Sequence, residues 1–271
     1  MVCRTLEVMG TGAARRWLRS LASLTAIALV LASNVATAGP DETIAKIKPS
    51  VVAVGTFLQT RNPAFQFTGT GFAVGDGTMI ATNAHVIPRV MDTERRETVV
   101  IALPNATGGQ ATLLATKTVV IDREYDLAIL SIEGKVLPAV RLATGGNVKE
   151  GQSLLFTGFP IGTVLGLFPA THRAMVSALT PIAIPRSSAG ELDAAAIRRL
   201  ANSPYAVIQL DGTAYPGNSG SPLYDDTGAV VGVINMVFVK GARENAISQP
   251  SGIAYAIPVQ PLADLVAGRR R

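Results

Sequence analysis

After residue 40 the chain is divided into short apolar runs, rich in β-branched residues and separated by turn residues. No other feature narrows its fold as much, because runs of this kind bounded by Gly, Pro, Asn and Asp read as strands. The predicted strands are Val51–Leu58, Gly69–Val74, Met79–Asn83, Thr98–Leu103, Ala111–Asp122 and Leu127–Ile132. A second set follows at Ser153–Phe156, Ala174–Leu179, Ala206–Leu210, Pro222–Tyr224, Val230–Phe238 and Ile253–Ile257. Gly75-Asp76-Gly77 and Asp225-Asp226-Thr227-Gly228 are hairpin signals. Six strands and then six more predict an all-β chain of two similar units. They meet near Ala143–Gly151, with Thr144-Gly145-Gly146-Asn147 as the crossover. Two segments read as helices that serve packing. Glu191–Ala201 would be an insertion in the second strand set, and Pro261–Ala267 a short C-terminal helix ending at Gly268.

The first 38 residues follow different rules. Arg15, Arg16 and Arg19 precede the apolar run Leu21–Ala32, and Ala36-Thr37-Ala38 comes after it. A positive start, a short apolar centre and an A-x-A site make a secretory signal peptide, with cleavage expected after Ala38. The apolar run is shorter than the roughly 20 residues a membrane span needs. No stable span is expected once the leader is removed, and the destination is the periplasm or the outside.

That leader changes the meaning of the composition. The chain has a formal net charge of +5 and a sequence pI near 9.6, which by itself suggests nucleic-acid binding. Four arginines against one glutamate lie in the leader, and Arg269, Arg270 and Arg271 close the chain. The body between is close to neutral, so net charge does not argue for a nucleic-acid partner. The one cysteine, Cys3, also leaves with the leader. The exported protein would hold no disulfide and must rely on its core. With only His85 and His172 left as soft ligands, no metal site or cofactor is expected.

Gly217-Asn218-Ser219-Gly220-Ser221-Pro222 is the most specific local string. A serine between glycines can sit on a sharp turn that exposes its hydroxyl. The amides of Gly217 and Ser219 would then face one space, as an oxyanion hole requires. Taken alone, such a string is also ordinary turn chemistry. A serine nucleophile needs a base, and Thr82-Asn83-Ala84-His85-Val86 offers His85 just after a strand. Standing alone, His85 would read as a buried histidine bonded to a backbone carbonyl. The base needs an orienting acid. Asp126 in Tyr125-Asp126-Leu127-Ala128-Ile129-Leu130 stands at the mouth of an apolar strand, where a carboxylate is costly without a partner.

In the order His, Asp, Ser, these segments resemble the chymotrypsin-type serine proteases, and among them the HtrA/Deg-type trypsin-like peptidases. Other matching strings are Gly69-Thr70-Gly71-Phe72, Gly158-Phe159-Pro160, Val176-Ser177-Ala178-Leu179, Ile208-Gln209-Leu210-Asp211 and Ala256-Ile257-Pro258. The resemblance implies two six-stranded antiparallel β-barrels, over 39–145 and 146–271, with the site between them. It implies Ser219 as nucleophile, His85 as base, Asp126 as its orienter, and the Gly217 and Ser219 amides as the oxyanion hole. It also implies a substrate pocket near Thr213, Ala214, Ile234 and Met236. No acid there points to Lys or Arg, so a small or medium aliphatic residue before the cut is expected.

The resemblance has departures. Ser221 stands where the family usually has glycine. Asn218, not aspartate, precedes Ser219, so activation by a newly cut N-terminal amine has no carboxylate to pair with. The chain ends soon after Ala256-Ile257-Pro258, and regulation by a PDZ domain is not expected. The expected partner is a peptide or unfolded protein, and an oligomer is compatible with the family. The alternative function is a latent or non-catalytic binding or chaperone-like module on a protease fold. His172 is expected at the surface.

Overall fold

A strand that is buried along its whole length must be covered on both faces, because successive side chains alternate between them. Strand β1 (Val51–Phe57) buries its first six residues in this way. The computed structural model, which describes residues 39–104, 111–145, 148–181, 206–235 and 252–268, shows what covers each face. Val52 and Val54 pack with Ile80, Ile101, Ala128 and Leu130. Val51 and Ala53 pack on the opposite side, in a cluster with Phe72, Leu127 and Ile129 and with Leu155, Phe159, Tyr224, Val233 and Ile257.

The first of these clusters is the interior of a closed barrel of order β1-β2-β3-β6-β5-β4. Its other strands are β2 (Phe65–Val74), β3 (Met79–Asn83), β4 (Thr98–Leu103), β5 (Thr112–Asp122) and β6 (Leu127–Ile132). The chain next forms β7 (Arg141–Leu142), which runs parallel to β12. The second barrel is built from β8 (Ser153–Gly158), β9 (Ala170–Pro181), β10 (Ala206–Asp211), β11 (Pro222–Tyr224), β12 (Ala229–Asn235) and β13 (Ile253–Pro258). Its order is β11-β8-β9-β10-β13-β12, closed by pairing of β11 with β12. Leu154, Phe156, Ile208, Leu210 and Ile234 fill its interior.

The cluster that contains Val51 and Ala53 therefore lies between the barrels. Each of its fully buried large side chains contributes roughly 1.5–3 kcal/mol relative to exposure. Such a contact holds the two barrels at one spacing, which matters because residues from both meet at the site. Antiparallel pairing of β3 with β6 then sets Asn83 opposite Leu127. The end of one strand and the start of the other are thereby brought side by side.

Both hairpin turns form as the sequence predicts. Asp76 Oδ1 accepts from the Thr78 amide at 2.9 Å, and Asp225 Oδ1 accepts from the Thr227 amide at 2.9 Å. Strands β2 and β9 run longer than expected, β2 starting at Phe65 and β9 covering Ala170–Pro181. The extra part of β9, with polar Thr171, His172 and Arg173, is held as strand by pairing to β8.

Helix α1 (Pro40–Ile47) was not apparent from periodicity. Proline stands in its first turn, with Asp41 and Glu42 beside it, and Thr43 Oγ1 donates to Asp226 O at 2.7 Å. A single turn, α2 (Gly162–Leu165), follows β8. The C-terminal helix α3 spans Val259–Val266, two residues earlier than expected at its start. The leader, the insertion at Glu191–Ala201 and Met236 lie outside the described residues. No described helix is long and apolar enough to cross a membrane.

Candidate active site

Asp126 is the residue around which the first barrel builds its part of the site. It precedes β6 with φ 53°, a left-handed conformation that aspartate tolerates better than most residues. Its carbonyl accepts from Asn83 Nδ2 and from the Ala84 amide, both at 3.0 Å. These bonds tie it to the single 3₁₀ turn Ala84–Val86 that carries His85. Its carboxylate then takes three more donors. Oδ1 accepts from the His85 amide at 2.9 Å. Oδ2 lies 2.6 Å from His85 Nδ1 and accepts from Asn235 Nδ2 at 2.7 Å.

A carboxylate can only accept, so the proton of a neutral His85 ring belongs on Nδ1. Nε2 is left as the basic nitrogen. The two side chains are 26% and 17% exposed, so the His85 ring stays accessible from outside.

Asn235 was not picked out from the sequence. It lies at the end of β12 and is fully buried, and it reaches Asp126 across the interface between the barrels. The available signal was an asparagine inside an otherwise apolar strand, which is costly to bury without a partner.

The second barrel supplies the loop Tyr215–Ser221, and its hydrogen bonds alternate. Pro216 O accepts from Ile161 N at 2.7 Å, and Gly217 O from Thr70 Oγ1 at 2.6 Å. Asn218 O accepts from Ser221 N at 3.0 Å, and Ser219 O from Thr70 N at 2.8 Å. All four carbonyls are thus turned into the protein. Of the amides, Asn218 N donates to Tyr215 O at 2.9 Å and Gly220 N to Ile234 O at 2.9 Å. The amides of Gly217 and Ser219 meet no acceptor among the described residues. Gly217 has φ 102° and Gly220 φ 86°, and a Cβ on Gly217 would run into Phe159 O. Glycine is needed there for both reasons.

The loop closes against the histidine turn over Gly69. A Cβ on that glycine would lie 2.7 Å from Val86 Cγ2 and 3.0 Å from Ser219 O. Ser219 itself is 6% exposed. The Ser221 hydroxyl is buried without a hydrogen-bond partner among the described residues and fills the place a Cβ on Gly158 would take.

Of the expected pocket residues, Ala214 and Ile234 pack in the second-barrel interior, and Thr213 is half-buried. His172 differs from the sequence expectation of a surface residue. It pairs with Phe156 across β8 and β9, and its ring stacks on that phenyl at 5.0 Å and 18°. Tyr215 stands 6.5 Å away. His172 Nε2 is buried without a hydrogen-bond partner among the described residues, and burial pushes the His172 pKa below the ordinary value.

This architecture has relatives. The trypsin-like peptidase domain family matches residues 69–233. A probable periplasmic serine endoprotease DegP-like of Pseudomonas putida (strain GB-1) is 28% identical over 201 residues, covering 74% of this chain and 34% of the relative. One of the same name from Hahella chejuensis is 29% identical over 209 residues, covering 74% and 35%. The chain thus spans about a third of the length of the curated relatives it matches. Deg5 has a TM-score of 0.59 at 25% identity, covering 84% of this chain and 94% of that one. The serine endoprotease from Yersinia pestis shares the fold at 22% identity and TM-score 0.59, covering 85% and 66%.

Proposed function

The chain belongs to the trypsin-like peptidase family, as a chymotrypsin-type serine endopeptidase domain of the HtrA/Deg kind, and from that premise we propose that it cleaves peptide bonds through an acyl-enzyme on Ser219. Ser219 Oγ attacks the scissile carbonyl carbon while its proton passes to His85 Nε2. The oxygen that becomes negative is held by the amides of Gly217 and Ser219. As the C–N bond breaks, His85 gives the proton to the leaving amine. A water then repeats the sequence on the ester, with His85 again as base, and releases the acid.

Asp126 stays ionised throughout. It keeps the His85 proton on Nδ1 and stabilises the imidazolium, and the Asn235 amide steadies the carboxylate from the other side. The observation that carries this reading is in the nucleophile loop, where the Gly217 and Ser219 amides, on either side of the bonded Asn218 amide, meet no acceptor among the described residues and are those an oxyanion would need. Preformed donors of this kind are worth on the order of 10²–10³ in rate each.

Peptide or unfolded protein is the proposed substrate, with a small or medium aliphatic side chain before the cut, received near Thr213 and Ala214. The leader-like first 38 residues, together with relatives named periplasmic, support action outside the cytoplasm. The direct test is turnover of casein by Ser219→Ala and wild type. The variant should keep the wild-type melting temperature and lose turnover. Equal turnover would overturn the reading.

A further inference from the structure

Thr70 lies in the first barrel, yet both its hydroxyl and its amide bond to the nucleophile loop of the second barrel. It is fully buried on β2. Its hydroxyl donates to Gly217 O at 2.6 Å and accepts from Phe159 N at 3.2 Å. Its amide donates to Ser219 O at 2.8 Å, and its carbonyl accepts from Thr82 Oγ1 at 2.7 Å. The hydroxyl has no freedom in this arrangement. An amide N–H can only donate and a carbonyl can only accept, so its single proton is committed to Gly217 O.

The consequence lies in the peptide planes. The Gly217–Asn218 peptide is held at both ends, its carbonyl by Thr70 Oγ1 and its N–H by Tyr215 O. The Ser219–Gly220 peptide is held likewise, by Thr70 N and Ile234 O. The Ser219 amide belongs to the one peptide between these fixed planes and the Gly217 amide to the peptide just before them, and neither meets an acceptor among the described residues. Thr70 thus grips both of the doubly held planes. The α-carbon of Gly220 packs so closely on the Thr70 carbonyl that a Cβ there would run into it.

We propose that Thr70 is a positioning residue for the oxyanion hole, a side chain of the first barrel that sets the direction of the Gly217 and Ser219 amides in the second. This rests on the protease reading. It makes a different demand, because the Thr70 hydroxyl would affect the rate without touching substrate. Removing that hydroxyl frees the Gly217–Asn218 plane to turn about its two α-carbons, which are the joints to the peptides that carry the Gly217 and Ser219 amides. Hydrogen bonds made only in the transition state lower kcat when lost and leave KM in place.

The test compares wild type, Thr70→Ser and Thr70→Val with a peptide substrate and with a peptidyl trifluoromethyl ketone, whose hemiketal oxygen occupies the oxyanion site. Thr70→Val should lose about 100-fold in kcat, within the range for one oxyanion donor, with KM within about threefold. Its Ki for the ketone should rise by the same factor as kcat falls, and Thr70→Ser should restore both. Thr70→Val within twofold of wild type, or Thr70→Ser as slow as Thr70→Val at a native melting temperature, would overturn the proposal. If Thr70→Val does not fold, Thr70→Cys against Thr70→Ser supplies the comparison, because a thiol is a weaker donor of similar size. At least a tenfold deficit in the cysteine variant is expected, and equality overturns the claim. A wild type no faster than Ser219→Ala would instead remove the protease reading, and this proposal with it. A wild type that turns over beside an unimpaired Thr70→Val removes only the role of Thr70.

Discussion

The two barrels hold their parts of the site by different means. In the first, the geometry lies in side chains. The Asp126 carboxylate binds the His85 ring and amide and the Asn235 amide group within 2.6–2.9 Å. In the second, it lies in the backbone, with successive carbonyls anchored and glycines at φ 102° and 86° that let the chain turn. Side-chain geometry can be altered by changing one functional group. Backbone geometry responds instead to added bulk, even where no functional group is lost.

Two substitutions of matched modesty separate these cases. Asp126→Asn replaces one carboxylate oxygen by a donor, which opposes either the His85 amide or, at the other oxygen, both His85 Nδ1 and Asn235 Nδ2, and so disturbs the hold on the productive tautomer. A loss of roughly 10⁴ in kcat with an intact fold is expected, the order associated with a wrongly oriented histidine. Gly217→Ala removes no functional group, yet its methyl meets Phe159 O at a φ that L-residues rarely adopt. A kcat loss of roughly 10²–10³ is expected, the size of one lost oxyanion donor, together with a lower melting temperature. Both are read from steady-state kinetics beside thermal unfolding. If Gly217→Ala keeps full activity, the backbone half of the contrast is wrong.

The smallest effect concerns acid. His172 in the second barrel has its pKa pushed down from 6.5 by burial. Glu97 in the first is pulled from 4.5 to about 2 by the Asp92 amide, Thr56 and Arg61. In both, the unfolded chain binds the proton more readily, so stability falls as pH falls. The His172 contribution is present above pH 6.5 and is lost as pH drops below it. The Glu97 contribution is present above 4.5 and is lost toward pH 2. Urea unfolding of wild type and His172→Phe between pH 7.5 and 5 should show a shallower decline in the variant. Parallel curves would remove His172 from this account.

Much of this was legible in the sequence, and the exceptions have physical causes. Met79–Asn83, Thr98–Leu103, Leu127–Ile132 and Pro222–Tyr224 match the observed strands end for end. They are apolar runs buried on both faces, with polar or turn residues at their ends. The left-handed glycines of the GNSG string were legible for a similar reason, since few other residues suit such a turn. Asn235 and Thr70 were not legible as site residues. Each acts across the interface between the barrels, on a partner more than a hundred positions away for Asn235 and for the Thr70 hydroxyl at Gly217. Local pattern carries no trace of that pairing. His172 was misread as exposed because a Thr-His-Arg triplet looks solvated, whereas pairing of β9 with β8 lays its ring on Phe156.

The central claim is that Ser219 is a nucleophile activated by His85 beside a formed oxyanion hole. Reaction of the whole protein with a fluorophosphonate, followed by peptide mapping, tests it most directly. The account predicts one covalent adduct per chain, on Ser219, and none in Ser219→Ala or in a heat-unfolded sample. An unlabelled Ser219 in the folded protein, or an adduct on another residue, would contradict it.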